Sequence, residues 1–412
     1  MHNRLLIAAA CLLGLFSTIG ASLPYPILPP LFASGAANGL NSFLGWPPKL
    51  LLGLALTVNP LGLLIGNALL GPLSDRYGRR PVILVTATGA ALGHALTALG
   101  LLLESFPLFM LARFATGLLE GNGAVVRALL ADRLEGSVRV RALSILNSAF
   151  YIGWLAGPLL AGVTLGLGLT VPFWIAAVAL LVVALMAALA LPRDVAVTST
   201  VSDTGAAATA SWWQVARKQH AFTLLQHAEV RMLFIVQLAF TCGVTAFYEF
   251  YPLWLVEVAG YGASGIAAMT AVLCAVMTLT SVFAGRPSTI APLRRAAWQA
   301  FAVAAVVATV ALGNVAVGLA AIVLFGVPNA IYNAIVPGWC AERFGALGQG
   351  AIMGLLSTTF CLANILMALA GALLTLLDTR LILLLGAALA AWARWRLQGW
   401  RRHMATVAPA SQ

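Results

Sequence analysis

The sequence predicts an all-α membrane protein of twelve transmembrane helices in two six-helix sets. Three observations predict it: 61% of the 412 residues are apolar, only 8% are charged, and the mean hydropathy is +0.98. A soluble chain needs a charged shell of about a quarter of its residues. Here the charges sit in short clusters between long apolar runs, so lipid is the solvent. The net charge of +11 is scattered among hydrophobic spans and forms no single patch, which excludes a nucleic-acid partner and assigns the basic residues to topology. Cys11, Cys242, Cys274, Cys340 and Cys361 fall in or beside apolar spans without a Cys-x-x-Cys pair, and read as small buried hydrophobes.

Apolar stretches of roughly 18 residues or more place spans near 5–28, 50–72, 82–103, 107–131, 142–167 and 171–192. A second set lies near 231–256, 264–285, 295–312, 314–338, 348–373 and 377–397. The first span follows a short basic start and runs past Gly20 without a cleavage site, so it is a retained helix and not a signal peptide. The expected domains are an N-terminal bundle over 1–192, a linker over 193–230, a C-terminal bundle over 231–397 and a tail over 398–412. The linker opens rich in Ser, Thr and Ala and continues into Trp212, Trp213, Arg217 and Lys218, the pattern of an interfacial amphipathic segment. Six spans on either side of a central loop is the layout of transporters built from two repeats.

Arginine and lysine crowd alternate loops: Arg76, Arg79 and Arg80; Arg133, Arg139 and Arg141; the linker; Arg286, Arg294 and Arg295; and the tail from Arg394 to Arg402. The opposite loops hold only Lys49 and Arg380. By the positive-inside rule both termini and the linker face the cytoplasm, which requires an even number of spans.

The loop after the second span reads Gly71-Pro-Leu-Ser-Asp75-Arg76-Tyr-Gly78-Arg79-Arg80-Pro81. Gly71 and Gly78 suit close approach and a sharp reversal, while Asp75 suits capping a helix start and pairing with a nearby arginine. The segment resembles the major facilitator signature Gly-x-x-x-Asp-Arg-x-Gly-Arg-Arg. The resemblance implies two six-helix bundles with pseudo-twofold symmetry, and a charged latch steadying one face of an alternating-access cycle.

In the fourth span, Arg113, Glu120 and Arg127 follow at intervals of seven residues, drift only about 20° per step and so share one helix face. Arg113-Phe-Ala-Thr-Gly117 resembles the second motif of the same superfamily. An isolated carboxylate in mid-span is costly, so Glu120 is a candidate proton carrier with Arg113 beside it; a structural ion pair is the alternative. Arg127 extends the polar stripe toward a substrate cavity. In the fifth span, Gly153-Trp-Leu-Ala-Gly157-Pro158 combines a close-packing surface with a bend. It resembles the motif of exporters that exchange substrate for protons, with Ser144 where a full version has an upstream glycine.

Pro24-Tyr-Pro26-Ile-Leu-Pro29-Pro30 and Pro172-Phe-Trp-Ile-Ala-Ala177 are similar to the tetracycline and multidrug antiporter branch, over mainly residues 1–192. Ser17 stands near the place of an acidic residue in the tetracycline exporters. In the second half, 285–295 keeps only a basic remnant of the loop signature.

The seventh span carries Phe247-Tyr248-Glu249-Phe250-Tyr251, a carboxylate among aromatic rings suited to an organic cation, or else a solvated interfacial group. His94 is either a proton relay or hydrogen-bonded structure. Asn59 with Pro60, and Asn329 with Tyr332 and Asn333, face a cavity or serve bending and helix adhesion.

The expected function is proton-coupled efflux of a small amphiphilic or cationic compound by a monomer in the bacterial inner membrane. Its partners are the substrate, protons and lipid; it needs no cofactor and no metal beyond the proton gradient. The alternative is uptake or facilitated transport of a sugar, amino acid or siderophore by the same fold. An enzyme is excluded by the lack of a zinc-type His-Glu-x-x-His, a nucleophile elbow or a clustered His/Asp site.

Overall fold

The computed structural model describes residues 2–33, 37–191, 221–284, 290–344, 347 and 349–407, and every regular element among them is helical. The helices are α1 (His2–Ser22), α2 (Pro24–Ala33), α3 (Pro48–Tyr77), α4 (Arg79–Leu102), α5 (Phe106–Glu120), α6 (Gly123–Arg133), α7 (Gly136–Thr164) and α8 (Val171–Ala190). Then follow α9 (Ala228–Glu257), α10 (Ala263–Ala284), α11 (Pro292–Ala311), α12 (Val315–Phe344), α13 (Gln349–Leu374) and α14 (Thr379–Val407). The amphipathic stretch with Trp212, Trp213, Arg217 and Lys218, and Arg286, lie outside the described residues.

Every predicted span meets a helix. Eleven stretches of the described chain are long and apolar enough to cross a bilayer, the first of them α1 and α2 together as Arg4–Ala33. The predicted fourth span, 107–131, is the departure. It is divided, because α5 stops at Glu120 and α6 starts at Gly123, with the poor helix formers Gly121 and Asn122 between them. The expectation that Arg113, Glu120 and Arg127 share one continuous helix face is therefore corrected: Arg127 belongs to a different helix from the other two.

Lipid as solvent shows in α8, which is hydrophobic all round. Phe173, Ala177, Leu180 and Ala184 are buried on one side, while Val178, Leu181, Val182, Leu185 and Leu189 are exposed on the other. Backbone polar groups in such an environment must be satisfied within each helix.

The described chain divides into two units, Met1–Pro24 with Val58–Thr223 and Tyr25–Thr57 with Leu224–Gln412. In the first unit α1 packs on α7 and α8, and α4 on α5 and α8. Its core includes Leu13, Ile83, Ala87, Val125, Leu130 and Leu180. The α1–α7 seam is close: a Cβ at Gly153 would overlap Thr18 and the Leu15 carbonyl, and one at Gly157 would overlap Ser22 and come within 2.6 Å of the Ile19 carbonyl. Pro158 lies inside α7 just beyond. Gly117 of α5 lies in the same manner against the Asn59 carbonyl of α3, with Gly66 against Leu118.

In the second unit α9 packs on α13 and α14, α11 on α12 and α14, and α10 on α12. Residues 25–57, from the N-terminal side of the expected division, are tied into it. Lys49 Nζ pairs with Glu257 Oε1 at 2.6 Å and donates to the Thr375 carbonyl at 2.8 Å, while Thr379 Oγ1 donates to Glu257 Oε2 at 2.6 Å. Tyr25 donates to Asn364 Oδ1 at 3.1 Å.

The α1–α7 seam yields a test. Gly157→Leu places a branched side chain where one methyl already collides, and overpacking of this kind costs about 1–3 kcal/mol. Thermal unfolding of the detergent-purified protein, followed by tryptophan fluorescence, is expected to show a lowered midpoint. Gly71→Ala, where a Cβ meets nothing within 4 Å, is expected not to lower it.

Candidate functional site

The polar interior of the first unit forms around a proline. Pro24 has no N–H, so the carbonyl of Gly20, four residues earlier in α1, has no helical donor. Arg113 of α5, 2% exposed, supplies one: Nη1 reaches the Gly20 carbonyl at 3.4 Å and Nη2 the Ala21 carbonyl at 3.1 Å. Asn59 of α3 donates in turn to the Arg113 carbonyl at 3.1 Å.

Beyond Arg113, at the end of α5, stands Glu120, 5% exposed. Its Oε1 lies 2.8 Å from Nε2 of His94, a fully buried residue of α4. Gly20 fits against both groups: a Cβ there would run into the His94 ring and come within 3.0 Å of Glu120 Oε1. The His94 ring stacks on Phe173 of α8 at 6.4 Å between centroids. His94 Nδ1 and Glu120 Oε2, the far ends of the pair, have no hydrogen-bond partner among the described residues.

Beside the pair, Asn122 in the helix break donates to Thr86 Oγ1 at 3.2 Å. Ser17 of α1 is buried, its hydroxyl without a partner among the described residues. Arg127 donates to Asn147 Oδ1 at 3.4 Å and lies over the Phe150 ring at 4.9 Å, both on α7. Along the polar stripe read from the sequence, Arg113 engages α1 carbonyls, Glu120 engages His94 and Arg127 engages α7.

The loop motif lies at the other end of α3 and α4. Arg79 binds Asp75 at 2.5 Å and Asp132, in the last turn of α6, at 3.1 Å; Arg80 donates to the Ala188 carbonyl of α8 at 2.6 Å. Arg76 stacks over Tyr77. Gly78, at φ 96°, takes the backbone reversal that a side chain would strain. Two details differ from expectation. Gly78 and not Asp75 occupies the cap position of α4, because α3 runs on through Tyr77 and leaves Asp75 inside its last turn. A Cβ at Gly71 would meet nothing within 4 Å among the described residues, so no tight contact there requires glycine.

In the second unit, Tyr248 donates to Met277 Sδ and accepts from Asn329 Nδ2 at 3.3 Å, and Asn333 donates to the side-chain oxygen of Asn329 at 2.9 Å. Tyr251 bonds Thr270 at 2.5 Å, and Tyr332 donates to Gln237 at 3.0 Å. Glu249 is not a solvated interfacial group: it is fully buried.

His94 and Glu120 lie 26 residues apart on different helices, and no spacing rule connects them. Gly20 had no signal beyond being a small residue near a proline.

The profile of the Major Facilitator Superfamily matches residues 10–368. The class B tetracycline resistance protein of Escherichia coli is 32% identical over 170 residues, which is 41% of this chain and 39% of that protein. The match thus spans about two fifths of that relative's length. The crystal structure of the human organic anion transporter MFSD10 superposes with a TM-score of 0.70 at 18% identity, covering 97% of this chain and 100% of that one. The transporter PepTSo of the POT family superposes with a TM-score of 0.72 at 16% identity, covering 98% of each chain. Both likenesses establish the fold.

Gly20→Ala tests the geometry of the pair. The added methyl must push His94 and Glu120 apart, at a cost of about 1–3 kcal/mol. A lowered thermal midpoint is expected, and His94→Ala, which vacates the ring, is expected to relieve most of the effect in the double variant.

Proposed function

Because the chain belongs to the Major Facilitator Superfamily, we propose that it exports a small amphiphilic or cationic organic compound in exchange for protons, by alternating access. The observation that carries the reading is the buried His94–Glu120 pair, with an atom at each end that has no partner among the described residues and the Arg113 charge seven residues before the carboxylate. The tetracycline resistance relatives support the direction of transport.

In this reading Glu120 takes a proton from the outside, with His94 as the partner that holds or passes it. It loses the proton toward the cytoplasm, so that the inward gradient drives substrate outward. Arg113 keeps the α1 carbonyls satisfied and places positive charge near the site, so that loss of the proton does not leave an isolated anion. Binding of substrate and of proton must each favour one conformational state, since a ligand with equal affinity for both states shifts nothing. Arg79, held between Asp75 and Asp132, is the latch of the cycle. Tyr248, Asn329 and Asn333, with aromatic rings beside them, form the wall that receives the substrate: hydroxyl and amide groups for orientation, ring faces for a cationic centre. The chain works as a monomer in the bacterial inner membrane with both termini cytoplasmic.

The test is proton movement in energised everted vesicles, followed by a pH-sensitive dye, as lipophilic cations, neutral drugs and metabolites are added in turn. A substrate-induced signal is expected that falls to the vesicle background in Glu120→Gln and is strongly reduced in His94→Ala. A signal of parental size in both variants removes the pair from the coupling. Silence across the panel with verified protein favours uptake or uncoupled transport.

A further inference from the structure

Every aspartate and glutamate among the described residues is exposed except two, Glu120 and Glu249. Glu120 has one oxygen on His94; Glu249, at 0% exposure, has a partner on neither oxygen among the described residues. We propose that Glu249 is a second proton-binding site of this protein, located in the second unit, which holds a proton in the present arrangement and releases it when water reaches the carboxyl.

The surroundings carry the argument. Glu249 sits eight residues before the end of α9, about 12 Å along the helix, in a stretch where Phe247, Phe250, Tyr251, Leu253 and Trp254 are all buried. The neighbouring seams are tight. A Cβ at Gly386 of α14 would lie 2.7 Å from the Ala246 methyl, and one at Gly371 of α13 would enter the Phe250 ring. An ionised carboxylate without partners in such a place is far more costly than the neutral acid, which leaves only a hydroxyl and a carbonyl unbonded.

Among the described residues no cation pairs with it, and Arg231, the cation on α9 itself, stands in the first turn of that helix, about 27 Å along it from Glu249. On α14, Arg380 lies 4.0 Å from Asp378, Arg394 lies over Phe301 and Arg396 donates to Met232 Sδ. Arg343 of α12 pairs with Glu229, and Lys49 pairs with Glu257. Arg294 and Arg295 stand in the first turn of α11. The same elements also carry neutral titratable side chains, Cys242, Tyr248 and Tyr251 on α9, Cys274 on α10, Tyr332 and Cys340 on α12 and Cys361 on α13, while Glu342 of α12 is exposed.

A means of release lies three residues away. Pro252 withholds the N–H that the Tyr248 carbonyl would accept, which weakens α9 within one turn of the carboxyl. A proton bound here favours the packed arrangement and its loss favours a hydrated one, so proton occupancy and conformation are linked. The proposal stands apart from the role given to Glu120, since each carboxyl is read by its own substitution.

Infrared spectra of the purified full-length protein in lipid nanodiscs test it, comparing the parent with Glu249→Gln and Glu120→Gln. The expected result is a carbonyl stretch of a protonated carboxylic acid at neutral pH that is lost in Glu249→Gln, survives in Glu120→Gln and bleaches as pH is raised. Identical spectra for the parent and Glu249→Gln overturn the proposal. So does a Glu249 band that alkaline pH never bleaches, because a carboxyl that keeps its proton takes no part in a cycle. If Glu249→Gln does not fold, the parent decides. Dicyclohexylcarbodiimide attacks neutral carboxyls in apolar surroundings, and mass spectrometry is expected to find its adduct on Glu249 at neutral pH and lose it at alkaline pH. No adduct at Glu249 overturns the proposal.

Discussion

In lipid a helix must satisfy its own carbonyls, and every proline inside a span leaves one without a donor. The first unit answers this constraint at Pro24. The Gly20 carbonyl, freed by that proline, takes its hydrogen bond from Arg113, and Arg113 is thereby fixed within α5 on the approach to Glu120. Glycine at position 20 leaves room for the His94 ring and the Glu120 carboxylate to meet. Proline, arginine, glycine, histidine and glutamate form one connected arrangement, and the candidate proton site is its consequence.

Both buried acids stand next to an interruption in their helix. Glu120 ends α5 just before the break at Gly121 and Asn122, and Glu249 lies one turn before Pro252. A regular helix ties each residue to its neighbours along the axis, whereas an interruption lets the chain on one side shift relative to the other. Protonatable groups placed at such points are positioned to convert a change of charge into a change of backbone geometry. By contrast, the ion pairs of the loop motif are partly exposed, with Asp75 and Asp132 side chains each about half accessible. Pairs of that kind contribute only about 0.2–1 kcal/mol each, so the latch orients helices and is weak enough to open.

The twelve spans, their approximate limits and the loop motif were legible from composition and pattern, because lipid imposes length and apolarity on every spanning segment. That constraint acts on each helix alone and leaves its mark in local sequence. Arg113 and Glu120 stood out for the same reason: a charge inside an apolar run is conspicuous without any knowledge of its neighbours. The break at Gly121 was not legible, since a glycine in a span serves close packing as often as it ends a helix, and so the shared face of Arg113, Glu120 and Arg127 was drawn on a helix that does not continue.

What the sequence determined by itself was therefore the class of solvent, the spans and the identity of the costly charges. Only the tertiary structure decided their partners: Glu120 with His94, Arg113 with the carbonyls left by Pro24, Arg127 with Asn147, and Glu249 with none among the described residues. The physical reason is that hydropathy is a property of each residue in its solvent, whereas a hydrogen bond between residues 26 positions apart depends on how helices cross. That crossing is set by small residues such as Gly20, Gly117 and Gly157, whose sequence signal does not name the surface they will meet.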